Sequence, residues 1–568
     1  MRTADTLTRG IQRGGMILLL TLLPLAAGAD ETLPSEASGE AGSVPDVAAK
    51  EMATPGVAPL TERLREASPR LSRFYALNGN VLVWQDRDAV ATLVELLRAL
   101  ENEGLSPADY SPGRLEQEAR TALDPAADAD GRARFDLDAS RTLLTALTHL
   151  QRGRLDPHRV YPGWEIPVAP PRLDLVGITR ALDGGDVPAA LALARPAGET
   201  YRQLQRALVR YRHIVRLGGW PTLPSREAAL RPGDTHSDVA LLRQRLAMIG
   251  ELEVMAADVM HYPDIALEAP AQNRYDPDLV AAVRRFQRRH MLADDGVIGP
   301  RTRAALNVPA RLRAATLRAN LERARWLSDG LSGWWVEVDL AGQRLQYHRP
   351  DGTSWSSRVI VGQPGRATPV LRSSITYLTL NPTWTVPPTI MREDVLPQLR
   401  RDPGYLAEHD MIALSHDGQR LDPQGIDWRQ PGAVMLRQRA GAGNPLGRLV
   451  LRFPNDHLVY LHDTPAQYLF GRPQRARSSG CIRVEGVAEL TRLLIADSRS
   501  AINLDALLAR GETRNVSLAR PVPLALHYWT AEGEPGGLAS FRPDIYDRDP
   551  ALIAALAGPP MRGNEPEE

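Results

Sequence analysis

The hydrophobic periodicity of this 568-residue chain changes character once, near residue 333, and that change limits the folds open to it. Before it, apolar residues recur three and four apart, as one face of a helix requires. Val90, Leu93, Val94, Leu97 and Leu100 form one such face, ended by Gly104 and Pro107. Ser140 to Leu150 and Tyr201 to Leu217 repeat the pattern, the second closed by Gly218-Gly219-Trp220-Pro221, a helix-stop signal. After residue 333 the pattern is that of strands: Trp335 to Leu340, Arg344 to Tyr347, Ser357 to Gly362, Ile375 to Leu380, Leu449 to Phe453 and Leu458 to Leu461. Helices followed by strands describe a multidomain α+β chain, and the length allows about three to five units.

Residues 57–222 read as a helical scaffold domain with no catalytic constellation. Residues 229–308 read as a small three-helix domain. It opens with Leu230-Arg231-Pro232-Gly233-Asp234 and continues with Val239, Leu242, Leu246 and Ile249 at helical spacing, closed by Gly250. A second helix carries Leu279, Val283, Phe286 and Gln287; the turn Asp295 to Pro300 leads to a short last helix from Thr302 to Leu306. A connecting helix is expected over 309–332 and a β-rich domain over 333–558, with its core at 334–511. Between about 391 and 447 the strand signal fades and Pro, Gly, Asp and Gln increase, as in an insertion over the sheet that could act as a lid.

The two ends read differently. Arg2, Arg9 and Arg13 precede an apolar run from Met16 to Ala26, and Ala27-Gly28-Ala29 offers a small-x-small cleavage site. Residues 1–29 therefore predict a cleavable signal peptide and a periplasmic location; the run is shorter than the roughly 20 apolar residues a spanning helix needs. Residues 30–56 predict a disordered linker and 559–568 a disordered tail. No later stretch is long and apolar enough to anchor the chain in a membrane. Hydrophobic residues make up 43% and charged residues 24%, values of a globular protein, and the formal net charge of zero lacks the basic footprint of a nucleic-acid binder. Lys50 is the only lysine, which coding bias explains.

Cys481 is the only cysteine, so no internal disulfide can form. An unpaired thiol in an exported chain is either a reactive group or a small buried apolar side chain, and the count alone leaves both open. The surrounding residues favour chemistry. His462-Asp463-Thr464 ends a strand, and Ser478-Ser479-Gly480-Cys481-Ile482-Arg483-Val484 follows. A thiol nucleophile needs a lowered pKa or a base in reach, and His462 can be that base. Strand alternation places Leu458, Tyr460 and His462 on one face and His457 on the other. Gly480 permits a tight turn whose N–H groups, those of Ser479 and Gly480, could face a developing oxyanion. A helix bearing Val487, Leu490, Leu493 and Leu494 would put Cys481 near a helix N-terminus, favouring the thiolate. Arg472, Arg475 and Arg477 either hold substrate carboxylates or belong to a solvated loop. No His-Glu-x-x-His and no paired-cysteine spacing is present, so neither a metal nor a cofactor is expected.

Two stretches resemble known families. Arg-Pro-Gly-Asp with its leucine helix, Val283-x-x-Phe286-Gln287 and Asp295-Gly296-x-Ile298-Gly299-Pro300-x-Thr302 resemble the three-helix peptidoglycan-binding module of wall enzymes. From about 334 to 511 the chain resembles the L,D-transpeptidase family with its YkuD-type catalytic domain. The matching blocks are Val361-Gly362 with Thr368-Pro369, Asn381 to Pro387, Gln438, Asn444-Pro445-Leu446-Gly447 and the Cys–His stretch. With scaffold and module in front, the chain looks like the large periplasmic, YcbB-like type.

Asp463 stands where many members have Gly, and Ser479 where many have a second His; the Cys–His pair is intact. The resemblance implies Cys481 as nucleophile, His462 as acid and base, and Tyr460, Arg483, Trp384, Gln438 and Asn444 as substrate-binding residues. It implies no cofactor. The partners would be peptidoglycan tetrapeptide stems as donor and acceptor, together with other cell-wall synthesis proteins, in cell-wall biogenesis and cell shape. The reaction would be a 3→3 cross-link through a cysteinyl thioester. Hydrolysis by an L,D-carboxypeptidase, removal of wall-attached protein, and a non-catalytic wall-binding scaffold stay open at this point. A papain-like protease has its nucleophile before its His, the reverse of the order here.

Overall fold

The computed structural model describes residues 57–161, 163–167, 170–252, 273–327, 333–402 and 404–559. The signal peptide and linker expected over 1–56 and residues 560–568 of the expected tail lie outside the described residues. The described residues form one compact unit. Among the described residues no helix is long and apolar enough to cross a membrane.

The first helices are α1 to α5, Val57–Leu64, Pro69–Leu77, Arg87–Ala99, Pro112–Ala122 and Ala129–Arg152. Aspartates start two of them: Asp86 accepts from the N–H of Asp88, and Asp128 from that of Gly131. Leu93, Val94 and Leu97 bury against Phe74, Leu143, Leu144 and Leu147, which is the helical face the spacing predicts. Helices α6 to α8, Leu175–Asp183, Val187–Ala194 and Glu199–Arg216, complete this part.

Helices α9 to α11 follow, Asp238–Met248, Pro277–Arg289 and Pro300–Leu306, then α12, Ala310–Trp326. The sequence suggests a free-standing module here, but its core is shared. Leu242, Leu279 and Phe286 pack in one cluster with Tyr201, Leu204 and Leu208 of α8, Leu317 and Leu321 of α12, and Phe541 near the C-terminus. Helix α8 lends its apolar face to this core, whereas α12 serves two cores, with Leu317 and Leu321 here and Ala319 and Trp326 in the core of the β-rich part.

The β-rich part opens with β1 to β4, Trp335–Asp339, Arg344–His348, Ser354–Gly362 and Leu371–Leu380. The insertion carries β5 to β8, Trp384–Thr385, Met411–Leu414, Arg420–Leu421 and Met435–Gln438. Then come β9 to β13, Leu449–Arg452, Leu461–His462, Ala476–Ser478, Ile482–Val484 and Arg514–His527, and a hairpin, β14 and β15, Ala531–Glu534 and Leu538–Phe541. Helices α13, α14 and α15, Val487–Asp497, Leu504–Ala509 and Asp549–Ala557, lie among them.

Nine strands form one sheet in the order β11-β3-β12-β10-β9-β4-β13-β1-β2. The long β3 closes it, pairing with β2 through Ser354 to Arg358 and with β12 through Val359 and Ile360. One face of the sheet, with Leu378, Leu451, Leu461, Ile482 and Val484, packs on Val487, Leu490 and Leu494 of α13. The insertion is more ordered than its composition suggests: β5-β8-β6-β7 is a sheet of its own over a small core of Met391, Val395, Leu399, Met411 and Leu436.

Two expectations need correction. Leu458 has φ +55 and is 74% exposed, so the strand that ends at His462 does not begin at Leu458 and its alternation cannot be run back to His457. Strand β12 and Gly486, at φ +66, separate Cys481 from α13, so the thiol lies outside the reach of that helix's N-terminus, whose field fades within one turn.

Candidate active site

The register of β10 builds the site. Leu461 pairs with Ile482 and His462 with Arg483 in parallel, and Leu461 pairs with Leu451 and His462 with Val450 in antiparallel. The side chains of paired residues share a face, and alternate residues do too. Tyr460, His462, Arg483, Cys481 and Arg452 therefore lie on the sheet face opposite the core. Tyr377 and Thr379, which pair with Arg452 and Val450, extend this polar row across β4.

Cys481 is free and half-buried. Its thiol donates a loose hydrogen bond to the Leu458 carbonyl at 3.8 Å. Burial pushes the thiol above its ordinary range; the N–H and hydroxyl of Tyr460 and the charges of Arg452 and Arg483 pull the other way without overcoming it. The Arg452 guanidinium sits 4.3 Å from the Tyr460 ring centre, which orients that ring. His462 is buried, its ring 5.7 Å from that of Tyr460. Its Nδ1–H donates to the Asp463 carbonyl at 2.5 Å, which leaves Nε2 as the acceptor nitrogen. Burial, aided by Arg483, lowers its pKa to about 3. At neutral pH the resting pair is thus a thiol and a neutral imidazole, not an ion pair. The imidazole sits diagonally across from Cys481, with Tyr460 directly opposite the thiol.

A frame of hydrogen bonds holds the loop that carries Cys481. The Gly362 N–H donates to Thr368 Oγ1 at 2.9 Å, and that hydroxyl donates to the Gly480 carbonyl at 2.8 Å. A trans peptide points its C=O and N–H in opposite directions, so fixing the Gly480 carbonyl aims the Cys481 N–H the other way. Gly480 has φ +112, a conformation that suits glycine alone. Ser478 Oγ donates to the Cys481 carbonyl at 2.5 Å and accepts the Gly480 N–H at 3.3 Å. The Gly480 N–H, expected to face an oxyanion, is therefore engaged by Ser478. Ser479 is exposed; its hydroxyl accepts from Arg366 at 2.8 Å. From the far end of the chain, Tyr546 Oη donates to the Gly362 carbonyl at 2.8 Å and accepts the Thr368 N–H at 3.2 Å.

The remaining residues fall into two groups. Arg483 shares the face of the thiol, and its Nε is buried without a hydrogen-bond partner. Asn444, Gln438 and Trp384 form the neck of the insertion. Asn444 Nδ2 donates to the carbonyls of Pro382 and Arg439, both at 3.0 Å, and its Oδ1 accepts from Leu446 N–H at 2.9 Å. That consumes the amide. Gln438 donates to the Gly443 carbonyl and pairs with Trp384 across β5 and β8. Arg475 is buried, its guanidinium spent on the carbonyls of Val359, Arg472 and Gln343, so it holds no substrate carboxylate.

His457 is tied to Glu165, which keeps it from the thiol for a reason other than strand alternation. Asp463 accepts the Arg448 N–H at 3.0 Å and packs where a Cβ on Gly447 would stand, so the carboxylate and Gly447 fit as a pair. Sequence reasoning missed Arg366, Arg452, Ser478 and Tyr546 as site residues. Ser478 and Thr368 stand inside quoted motifs, whereas nothing near Tyr546 signals its role.

Comparison with known proteins agrees with this architecture. Residues 333–498 match the model of the L,D-transpeptidase catalytic domain, 235–306 a model described provisionally as a peptidoglycan binding domain, and 69–208 a scaffold domain. A curated protein of Haemophilus influenzae (strain ATCC 51907 / DSM 11121 / KW20 / Rd), described provisionally as an L,D-transpeptidase, is 36% identical over 236 residues, 41% of this chain and 48% of that protein. The chain thus spans about half the length of the curated relative it matches. A crystal structure of an L,D-transpeptidase (residues 123–326) from Xylanimonas cellulosilytica DSM 15894 is 17% identical, covering 54% of this chain and 100% of that one. Its TM-score is 0.17, too slight a likeness to argue from.

Proposed function

We propose that this chain, a member of the L,D-transpeptidase family through its catalytic domain at residues 333–498, forms 3→3 peptidoglycan cross-links outside the cytoplasm by way of a thioester on Cys481. The observation that carries the reading is the register of β10 and β12, which gathers the only thiol, a buried neutral imidazole, a tyrosine and two arginines on one sheet face.

Cys481 Sγ attacks the carbonyl of the third residue of a tetrapeptide stem. Because the thiol's pKa is raised and that of His462 depressed, proton transfer to His462 Nε2 accompanies attack. The Tyr460 hydroxyl and N–H favour the developing thiolate. The oxyanion meets the Cys481 N–H, held by the Thr368 bridge. The C–N bond to terminal D-Ala breaks, and the imidazolium gives its proton to the leaving amine. The side-chain amine of a neighbouring stem then attacks the thioester, loses a proton to His462, and restores the thiol. Arg452 and Arg483 supply positive charge for stem carboxylates.

The decisive experiment incubates the purified protein with disaccharide-tetrapeptides and reads product masses. A cross-linked dimer supports transfer; a tripeptide alone makes the protein a hydrolase; no change with a folded protein removes the catalytic reading.

A further inference from the structure

Arg366 lies in the loop after β3, and its guanidinium faces two ways. One nitrogen donates to Ser479 Oγ at 2.8 Å, on the nucleophile's loop. The same nitrogen reaches Asp394 Oδ2 at 2.5 Å, and the other reaches Asp394 Oδ1 at 3.0 Å and Glu393 Oε2 at 2.7 Å. Glu393 and Asp394 belong to the π-helical turn Met391–Val395 that begins the body of the insertion. Met391 and Val395 of that turn are buried in the insertion's own core, so a grip on the turn is a grip on the whole insertion. At the other end, Asn444 fastens the neck.

The insertion is therefore held at two places of different kind. The neck is a buried, saturated amide. The Arg366 contact is ionic and partly solvated: Arg366 is 15% exposed, while Glu393 and Asp394 are 42% and 48% exposed. Glu393 also has an alternative partner in Arg392 at 2.8 Å. Bonds of this sort hold geometry but release at modest cost. We propose that Arg366 is a positioning residue that latches the insertion to Ser479, and that the latch keeps water from the thioester until the acceptor amine arrives. The position where the family pattern has a second histidine carries a hydroxyl that accepts this bond.

This inference rests on the acyl-transfer reading, and its test separates the two. The variants are Arg366→Gln and the double Glu393→Gln/Asp394→Asn; the double variant leaves the nucleophile's loop untouched. Cys481 is first acylated with a carbapenem-type β-lactam, and the lifetime of the adduct is followed by mass. The ratio of tripeptide to dimer from tetrapeptide is measured in parallel. Both variants are expected to shorten the adduct lifetime about tenfold, the factor that about 1.4 kcal/mol of lost closure produces. The acylation rate of the double variant should stay near that of the parent protein. In the parent, adduct loss should quicken between about 0.1 M and about 1 M NaCl as the latch is screened, and in the double variant it should not. A passive structural contact would not give that salt response. Unchanged adduct lifetimes in both folded variants would overturn the latch. Absence of dimer from the parent would overturn the transfer reading alone, because the adduct assay still reports on the latch.

Discussion

Removing a single buried hydroxyl, by Thr368→Val, should separate the frame of the site from its chemistry. Thr368 is fully buried, and its hydroxyl is the sole bridge in the run from the Gly362 N–H to the Gly480 carbonyl, with bonds of 2.9 and 2.8 Å. Valine keeps the shape and leaves both backbone groups unpaired. An unpaired buried polar group costs about 1–3 kcal/mol, so two should lower stability by roughly 2–4 kcal/mol after partial relaxation. The catalytic effect is separate. With the Gly480 carbonyl released, its peptide can rotate and the Cys481 N–H loses its aim; losing one oxyanion donor typically costs about 10²–10³ in rate. Thr368→Ser retains the hydroxyl and should stay within about 1.5 kcal/mol and a few-fold in rate. Urea unfolding followed by tryptophan fluorescence gives the first quantity. The second comes from two reactions of the same thiol: acylation by a β-lactam, which passes through an oxyanion, and alkylation by iodoacetamide, which does not. Thr368→Val should slow acylation and spare alkylation. If the folded variant acylates at the parent rate, the bridge does not aim the oxyanion donor.

Four further outcomes are expected. Cys481→Ala should abolish cross-linking and any mass gain with β-lactams, while a residual adduct would mean that another group is acylated. Acylation should stay level from about pH 5 to neutral, without an acid limb near 6.5, because the thiol's pKa is raised and His462 is already deprotonated above about pH 4; an acid limb there would mean that His462 titrates in its ordinary range and would refute the proton transfer from thiol to neutral imidazole. The same depressed histidine binds fewer protons folded than unfolded between about pH 6.5 and 3, so its contribution to stability is present above 6.5 and lost as pH falls, and His462→Gln should flatten the acid side of the urea-midpoint profile. Tyr546→Phe, which deletes the bonds to Gly362 and Thr368, should slow acylation several-fold and cost about 1–3 kcal/mol, whereas an unaltered rate would confine Tyr546 to packing.

Much of the candidate site was legible in the chain because strands and short motifs are local. Cys481 is unique, and Tyr460 and His462 are two residues apart, so alternation alone puts them together. The helical faces of the scaffold were legible for the same reason. What was not legible depends on long-range pairing. Strand β13 carries Pro521 and Pro523 and a shift in register between Ser517 and Val522, features that argue against a central strand, yet it pairs with β4 on one side and β1 on the other. Asn444 and Gln438 stand in blocks matching the family, which suggests contact with substrate; only the fold reveals that the Asn444 amide is spent on the neck and that Gln438 bonds there too. The position of Leu458 turned on one left-handed residue that sequence patterning does not announce.

The place of β13 has a consequence for the order in which the protein comes into being. The strand that fills the gap between β4 and β1 follows both His462 and Cys481 in the chain, and Tyr546, which braces the floor under the thiol, comes later still. A nascent chain that already contains His462 and Cys481 therefore has an unclosed sheet and an unbraced nucleophile. Such non-local closure is slow, because the entropy of bringing distant strands together is lost before their contacts form. A fragment that ends before Arg514 would hold both His462 and Cys481 on an unclosed sheet, without the brace from Tyr546.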